Sequence, residues 1–249
     1  LLRQNGADVN KGDKDLVTPL HNAVSGKKEI IDLLIQWGAD LYAKTGGKNQ
    51  NTPLHYAVIL ENIEFAKILL DRGVSINLPN GLGRTPLHCY VSNRIIYLES
   101  MKSLLKYGAD INAVDNEGKT PLYSALKNEK RDAISFLLKK GADANIADNN
   151  GITPLHFAIK NKLSHRIIKM LIENGANIHK TDNCGKTPLD LMYSCDDKRV
   201  ISALTDKKNN ITTIEKAKRN AFSFWNEIDK KCPVPDPLLS KQGLFMTRN

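Results

Sequence analysis

Long apolar runs are missing from this sequence of 249 residues. None approaches the roughly 20 residues a membrane-crossing helix needs. Cysteine is scarce as well: Cys89, Cys184, Cys195 and Cys232 show no regular spacing and no CxxC pair. That pattern argues against a structural zinc site and against a disulfide framework, and it fits a reducing compartment. Phosphate-binding loops are absent. The stretch "KTGGKNQNT" has glycines and a lysine, but not the GxxxxGK[ST] spacing that would wrap a phosphate. Aromatic residues make up only 6% of the chain and are not interleaved with basic ones, so nothing resembles a nucleic-acid reading surface.

What the chain does have is positive charge, at a formal net +9. Lysine is spread among Asp and Glu along most of the length, the pattern of a solvated surface. The segment from Lys207 onward is the more basic one, with nine Lys/Arg against four Asp/Glu. Nucleic acid is therefore an unfavoured partner. Hydrophobic residues at 41% and charged residues at 25% describe a chain that can bury a core.

The dominant feature is a repeat. "TPLH" stands at Thr18, Thr52, Thr85 and Thr153, "TPLY" at Thr120 and "TPLD" at Thr187, with steps of 34, 33, 35, 33 and 34 residues. A second marker, "GAD" or a variant, stands at Gly6, Gly38, Gly73, Gly108, Gly141 and Gly175. Self-similarity at this period predicts a stacked array. Each marker has a local reason. Threonine before a helix start can cap free N–H groups, and proline at the first helical position loses only an N–H that would stay unpaired. Apolar pairs such as Leu69-Leu70 close the second helix, and the glycine that follows suits a left-handed cap. The polar stretch after it suits a hairpin.

These residues resemble the ankyrin repeat family. Its "D-x-x-G-x-T-P-L-H-x-A" pattern stands here as Asp115–Ala125, with Tyr for His, as Asp148–Ala158, and in part from Asp182 to Asp190. The resemblance covers about residues 1–206. It implies an all-α ankyrin solenoid of β-hairpin/helix-turn-helix units: a partial repeat at 1–12, then six repeats starting near 13, 47, 80, 115, 148 and 182. The first ten residues read as the end of a preceding repeat's second helix, so the chain is expected to continue upstream. Departures mark places that must pack differently. Tyr90 replaces the small alanine, the second hairpin "YAKTGGKNQN" lacks the aspartate, and the third repeat carries two extra residues around "SNRIIYLES".

Beyond Asp206 the period stops. Thr212 and Glu215 form a capping signature, and Ile214, Ala217, Ala221, Phe224 and Ile228 share one helical face, widened by Trp225. Pro233, Pro235 and Pro237 end that helix. Residues 207–249 are thus expected to be a C-terminal helical cap, with a second recognition element as the alternative. The run "CPVPDPLL" is similar to the Pro-rich part of a SOCS box, though the Leu-Cys-Arg portion is missing.

His21, His55, His88 and His156 recur at one repeat position. Packed helices lie about 8–10 Å apart, too far for histidines of neighbouring repeats to share a zinc ion with bonds near 2 Å. The expected role is a hydrogen-bonded joint between hairpin and helix, so no catalytic residue, metal or cofactor is assigned. The resemblance implies a non-catalytic scaffold binding one or more proteins on its concave, hairpin-tip face. The alternative is the docking module of a larger enzyme or ubiquitin-ligase adaptor. Candidate contacts are large apolar or basic residues near tips and loops: Trp37, Lys44, Lys48, Ile59, Leu60, Leu82, Arg84, Tyr107, Lys119, Ile152 and Lys186. Asn10, Asn112 and Asn145, with Asn77, resemble hairpin asparagines that an asparaginyl hydroxylase modifies in this family. A monomer in the cytoplasm, including that of a host cell into which it is delivered, is expected, with the nucleus also open. The abundance of Lys, Asn and Ile resembles ankyrin proteins of viruses and intracellular bacteria.

Overall fold

The computed structural model describes residues 6–193. The proposed cap over 207–249 and the end of the sixth repeat lie outside these residues. In chain order the helices are α1 (Pro19–Asn22), α2 (Lys28–Gln36), α3 (Pro53–Ile59), α4 (Ile63–Asp71), α5 (Pro86–Val91), α6 (Leu98–Lys106), α7 (Pro121–Lys127), α8 (Arg131–Lys139), α9 (Pro154–Lys160), α10 (His165–Glu173) and α11 (Pro188–Tyr193). A 3-10 turn, Ala23–Ser25, extends α1.

Odd-numbered helices begin at the repeated proline, and threonine takes the cap position in extended backbone at Thr18, Thr52, Thr85, Thr120 and Thr153. These helices stack in sequence, α1 on α3, α3 on α5, α5 on α7, α7 on α9 and α9 on α11. In the second row α6 packs on α8 and α8 on α10. The leucine after each proline is the core residue: Leu20, Leu54, Leu87, Leu122 and Leu155 are buried to 1% exposure or less. Leu69, Leu104, Leu137 and Leu171 answer from the second helices at the same depth. Each such burial stabilises by about 1.5–3 kcal/mol. The core is therefore one continuous seam between the helix rows, as a stacked array requires.

The hairpins depart from expectation. No strand forms among the described residues. Each tip is a turn wrapped around one side-chain oxygen, a carboxylate at Asp13, Asp115, Asp148 and Asp182. Asp115 Oδ1 accepts from Glu117 N and Lys119 N at 3.0 Å each, while Asp115 N donates to Lys119 O at 2.9 Å. Asp148 and Asp182 repeat the arrangement, and Asn80 substitutes for aspartate in the third repeat. In the second, Thr45 Oγ1 accepts from Asn51 N across a longer loop. The backbone groups that a strand pair would use are spent on the side chain and on neighbouring repeats. A second correction concerns cysteine. Cys89 is a free thiol, but Cys184 is disulfide-bonded.

Tyr90 shows how the third repeat accommodates its insertion. The side chain is fully buried where the pattern expects alanine. Its hydroxyl donates to Tyr97 O at 3.1 Å and accepts from Tyr97 N at 2.9 Å, holding the two ends of the longer inter-helix loop together. Tyr90→Phe keeps the ring and removes both bonds, leaving Tyr97 N–H and C=O without that partner. Chemical denaturation is expected to show a loss of about 1–2 kcal/mol.

Candidate interaction surface

The histidines are joints between repeats. In α1, α3, α5 and α9 the backbone N–H of the capping threonine donates to histidine Nδ1, at 3.2, 3.4, 3.1 and 3.2 Å. A backbone N–H cannot accept, so Nδ1 must be the unprotonated nitrogen and Nε2 carries the hydrogen. Nε2–H then donates onward to the hairpin of the next repeat: His21 to Asn51 O at 3.1 Å, and His55 to Arg84 O, His88 to Lys119 O and His156 to Lys186 O at 2.9 Å. All four side chains are at 0% exposure. Burial pushes their pKa down, partly offset by the carbonyl each one meets, and His55 falls to about 4. The imidazoles are neutral connectors with both nitrogens committed.

Two repeats break the pattern. In α7, Tyr123 stands in the histidine place and packs on Phe157 with ring centroids 4.5 Å apart. Lys119 Nζ sits 5.2 Å over the Tyr123 ring, and burial raises the phenol pKa. In α11, Asp190 caps Thr187 N at 2.8 Å and accepts from Thr187 Oγ1 at 2.7 Å. An ionised carboxylate has no hydrogen to donate, so it cannot make the onward contact that histidine makes.

Two asparagine ladders, unread in the sequence, fix the spacing of the tips. At the hairpin base, Asn10 Nδ2 donates to Gly38 O and its Oδ1 accepts from Asp40 N; Asn77 does the same with Gly108 and Asp110, and Asn145 with Gly175 and Asn177. Asn112 Oδ1 accepts from Asp143 N. At the tip, Asn116, Asn149 and Asn183 each reach back through Nδ2 to the preceding tip, at Gly81 O, Asn116 O and Asn149 O. Backbone rungs accompany them: Gly46 N to Asp15 O, Gly81 N to Asn49 O, Asn116 N to Leu82 O, Asn149 N to Glu117 O and Asn183 N to Asn150 O. The signal was present as Asn after Asp in three hairpins, but the partners are main-chain carbonyls about 30 residues away, with no side-chain signature.

The candidate contact residues fall into different places. Arg84, Lys119 and Lys186 give their carbonyls to the histidines, and the side chains of the first two turn inward. Arg84 Nε meets Asp115 at 3.4 Å, and Lys119 Nζ bonds Glu117. Leu82 and Ile152 are half-buried and belong to the turns. Lys44 and Lys48 are exposed on the second hairpin. Trp37 is half-buried at the end of α2, and Tyr107 is 38% exposed at the end of α6. Ile59 and Leu60 lie at the opposite end of α3, about 10 Å from its capped start. There Ile59 O accepts from Asn93 Nδ2, and Leu60 is exposed beside the third-repeat loop that carries exposed Ile95 and Tyr97. Exposed Tyr42 and Val114, at 50% and 52%, add apolar area to the hairpins. Among the described residues no three His, Cys, Asp or Glu side chains gather as a metal site.

A family model described as ankyrin repeats (3 copies) matches residues 1–80 and 73–148, and one described as ankyrin repeats (many copies) matches 137–192. The chain belongs to the ankyrin repeat family. Among curated ankyrin proteins, one of fowlpox virus is 33% identical over 98 residues, 38% of this chain and 16% of that protein. An ankyrin repeat protein of variola virus is 30% identical over 104 residues, 40% of this chain and 19% of that one. The matched stretches of this chain thus span less than a fifth of these relatives. Its fold is similar to the crystal structure of the ankyrin repeat domain of Bcl-3, a member of the IkappaB protein family. That likeness has a TM-score of 0.69 and 29% identity, over 82% of this chain and 88% of that one. Ankyrin arrays are, as a class, protein-interaction modules. No helix among the described residues is long and apolar enough to cross a membrane.

Proposed function

We propose that the protein is a non-catalytic scaffold that binds a partner protein across its second to fourth hairpins. One observation carries this reading. The tips are locked in register by a rung at every junction, while Tyr42, Lys44, Lys48 and Val114 point their side chains at solvent. Rigid spacing lowers the ordering cost of binding, and an exposed aromatic beside two lysines suits a partner with an acidic, partly apolar surface. Tyr107, at the entry to the fourth hairpin, extends the same face. The asparagines named as hydroxylation candidates are here hinge atoms of the latches, so modification of Asn10, Asn112 or Asn145 would act on tip spacing. The fowlpox and variola relatives support a setting among host-cell proteins.

The test is affinity capture from a host-cell extract, followed by titration of the recovered partner. The triple variant Tyr42→Ala, Lys44→Glu, Lys48→Glu is expected to weaken binding at least ~30-fold, at unchanged thermal stability. Leu60→Asp, at the far end of α3, is expected to leave affinity within about twofold. The reverse pattern would move the interface to the inter-helix loops and refute the tip reading.

A further inference from the structure

The edge opposite the hairpins is made by the loops that join the two helices of each repeat. These loops are latched to one another. Asn62 Nδ2 donates to Val24 O at 2.6 Å, Asn93 Nδ2 to Ile59 O at 2.8 Å and Lys130 Nζ to Arg94 O at 2.6 Å. The edge is therefore a fixed strip, as the hairpin tips are.

Its charge is one-sided. Residues 92–99, 127–132 and 160–166, at the α5–α6, α7–α8 and α9–α10 junctions, carry seven Lys/Arg against three Asp/Glu. One of those acids, Glu99, is taken by Lys102. The fourth to sixth hairpins, residues 108–120, 141–153 and 175–187, show the opposite balance, three Lys against six Asp/Glu. Arg94, Lys127, Arg131, Lys160, Lys162 and Arg166 are exposed, and none of the six makes an ion pair among the described residues. Lys162 also sits in left-handed backbone, φ +53°, at the end of α9, a place where glycine would carry no strain. At the repeat-two end the strip turns apolar. Leu60, Ile95 and Tyr97 are exposed by 56%, 61% and 56%.

We propose that the inter-helix edge of repeats two to five is a second docking surface, taking an acidic peptide segment of another protein with a large apolar residue at one end. The apolar residue rests on Leu60, Ile95 and Tyr97, and the carboxylates follow Arg94, Lys127, Lys160 and Lys162. Three steps of about 10 Å between stacked helices make a strip of about 30 Å, the length of about nine extended residues. The chain's own tail is unsuited by charge, since nine Lys/Arg stand against four Asp/Glu from Lys207 onward. Nucleic acid suits it less: a phosphate backbone leaves Leu60 and Ile95 uncovered, and Tyr97 offers a single ring for stacking. The surface lies on the other edge from the tips and does not depend on the tip reading.

The test selects random peptides about twelve residues long, by display, on the full chain, and titrates the recovered peptides by fluorescence anisotropy. The selection is expected to return sequences with about three or more Asp/Glu beside a large apolar residue. Lys127→Glu, Lys160→Glu, Lys162→Glu together should weaken them at least ~10-fold, and Ile95→Asp about fivefold. The tip variant Tyr42→Ala, Lys44→Glu, Lys48→Glu should leave them within about twofold. Lys162→Gly separates binding from folding: it should raise Tm by about 1–3 °C and still weaken the peptides about threefold. A selection that returns no acidic peptides overturns the proposal, as do peptides that keep their affinity in the triple edge variant or lose it in the tip variant. Single-stranded DNA of equal length that binds the edge more tightly than the selected peptides overturns it too, since the strip would then belong to nucleic acid.

Discussion

His55→Ala is expected to lower Tm by about 6–12 °C, the largest effect of any single imidazole. The side chain is fully buried and spans one repeat junction, taking Thr52 N–H on Nδ1 and giving Nε2–H to Arg84 O at 2.9 Å. Alanine leaves a buried N–H without its partner, removes one of the two donors to Arg84 O, and opens a cavity. Together these cost about 3 kcal/mol, which for a domain of this size is about 2–4 °C per kcal/mol. The damage is local to one junction, so the transition should also broaden as repeats two and three uncouple. His165→Ala, at the exposed start of α10, serves as the control and should stay within about 0.5 kcal/mol of wild type. A loss at His55 no larger than at His165 would remove the joint from the account.

The same geometry sets an acid limit. The folded pKa of His55, about 4, lies below the unfolded value of 6.5. Between those values the unfolded chain takes up a proton that the folded one refuses. Stability is therefore fully present above about pH 6.5, falls as pH drops, and stops falling on this account below about pH 4. The shift corresponds to about 3 kcal/mol for His55, and His21, His88 and His156 shift in the same direction. His55→Ala should flatten this slope as well as lower the plateau.

Gly83→Ala is expected to cost about 3 kcal/mol. Gly83 has φ +72°, and a Cβ there would lie 2.2 Å from Asn116 Oδ1 and 2.6 Å from Asn116 N. The side chain could swing away, but the backbone nitrogen is held on Leu82 O by the tip rung at 3.0 Å. The substitution meets a left-handed penalty of about 1–2 kcal/mol and breaks the two Asn116 bonds, each worth about 1 kcal/mol. Gly38→Ala separates these causes. Its φ is +85° and nothing lies within 4 Å of the added atom, so only the backbone penalty applies. Denaturation of the two variants should differ by about 1–2 kcal/mol, and amide exchange at Asn116 should accelerate in Gly83→Ala alone. Equal losses would mean that the tip ladder carries no load.

The scaffold was legible in the sequence because its determinants are local. Thr18, Pro19 and Leu20 announce a capped helix with a core residue, and their recurrence every 33–35 residues announces stacking. The histidines were legible as structural, though not their direction: each ties its own helix cap to the hairpin of the following repeat, because Nε2 points onward once Nδ1 is held. The hairpin surface was less legible. Arg84 and Lys119 read as free basic tips, yet their side chains close on Asp115 and on Glu117 and Tyr123. Ile59 and Leu60 read as residues following the first helix of repeat two, and they stand at that end of α3, about 10 Å from its capped start. Burial in an array depends on the repeat before and the repeat after, and a single repeat's pattern does not contain either. Tyr42 was missed for the same reason: it replaces the asparagine of the basal latch, and only the structure shows its ring left exposed by 50%.

The central claim is that the recurring imidazoles are neutral joints of a stacked scaffold. Nitrogen-15 NMR of the histidine rings between pH 7.5 and 4.5 tests it most directly. Joints require hydrogen on Nε2 and a bare Nδ1 at His21, His55, His88 and His156, with His55 unprotonated down to about pH 4 while the fold persists. Hydrogen on Nδ1, or His55 titrating near 6.5 in the folded protein, would contradict it.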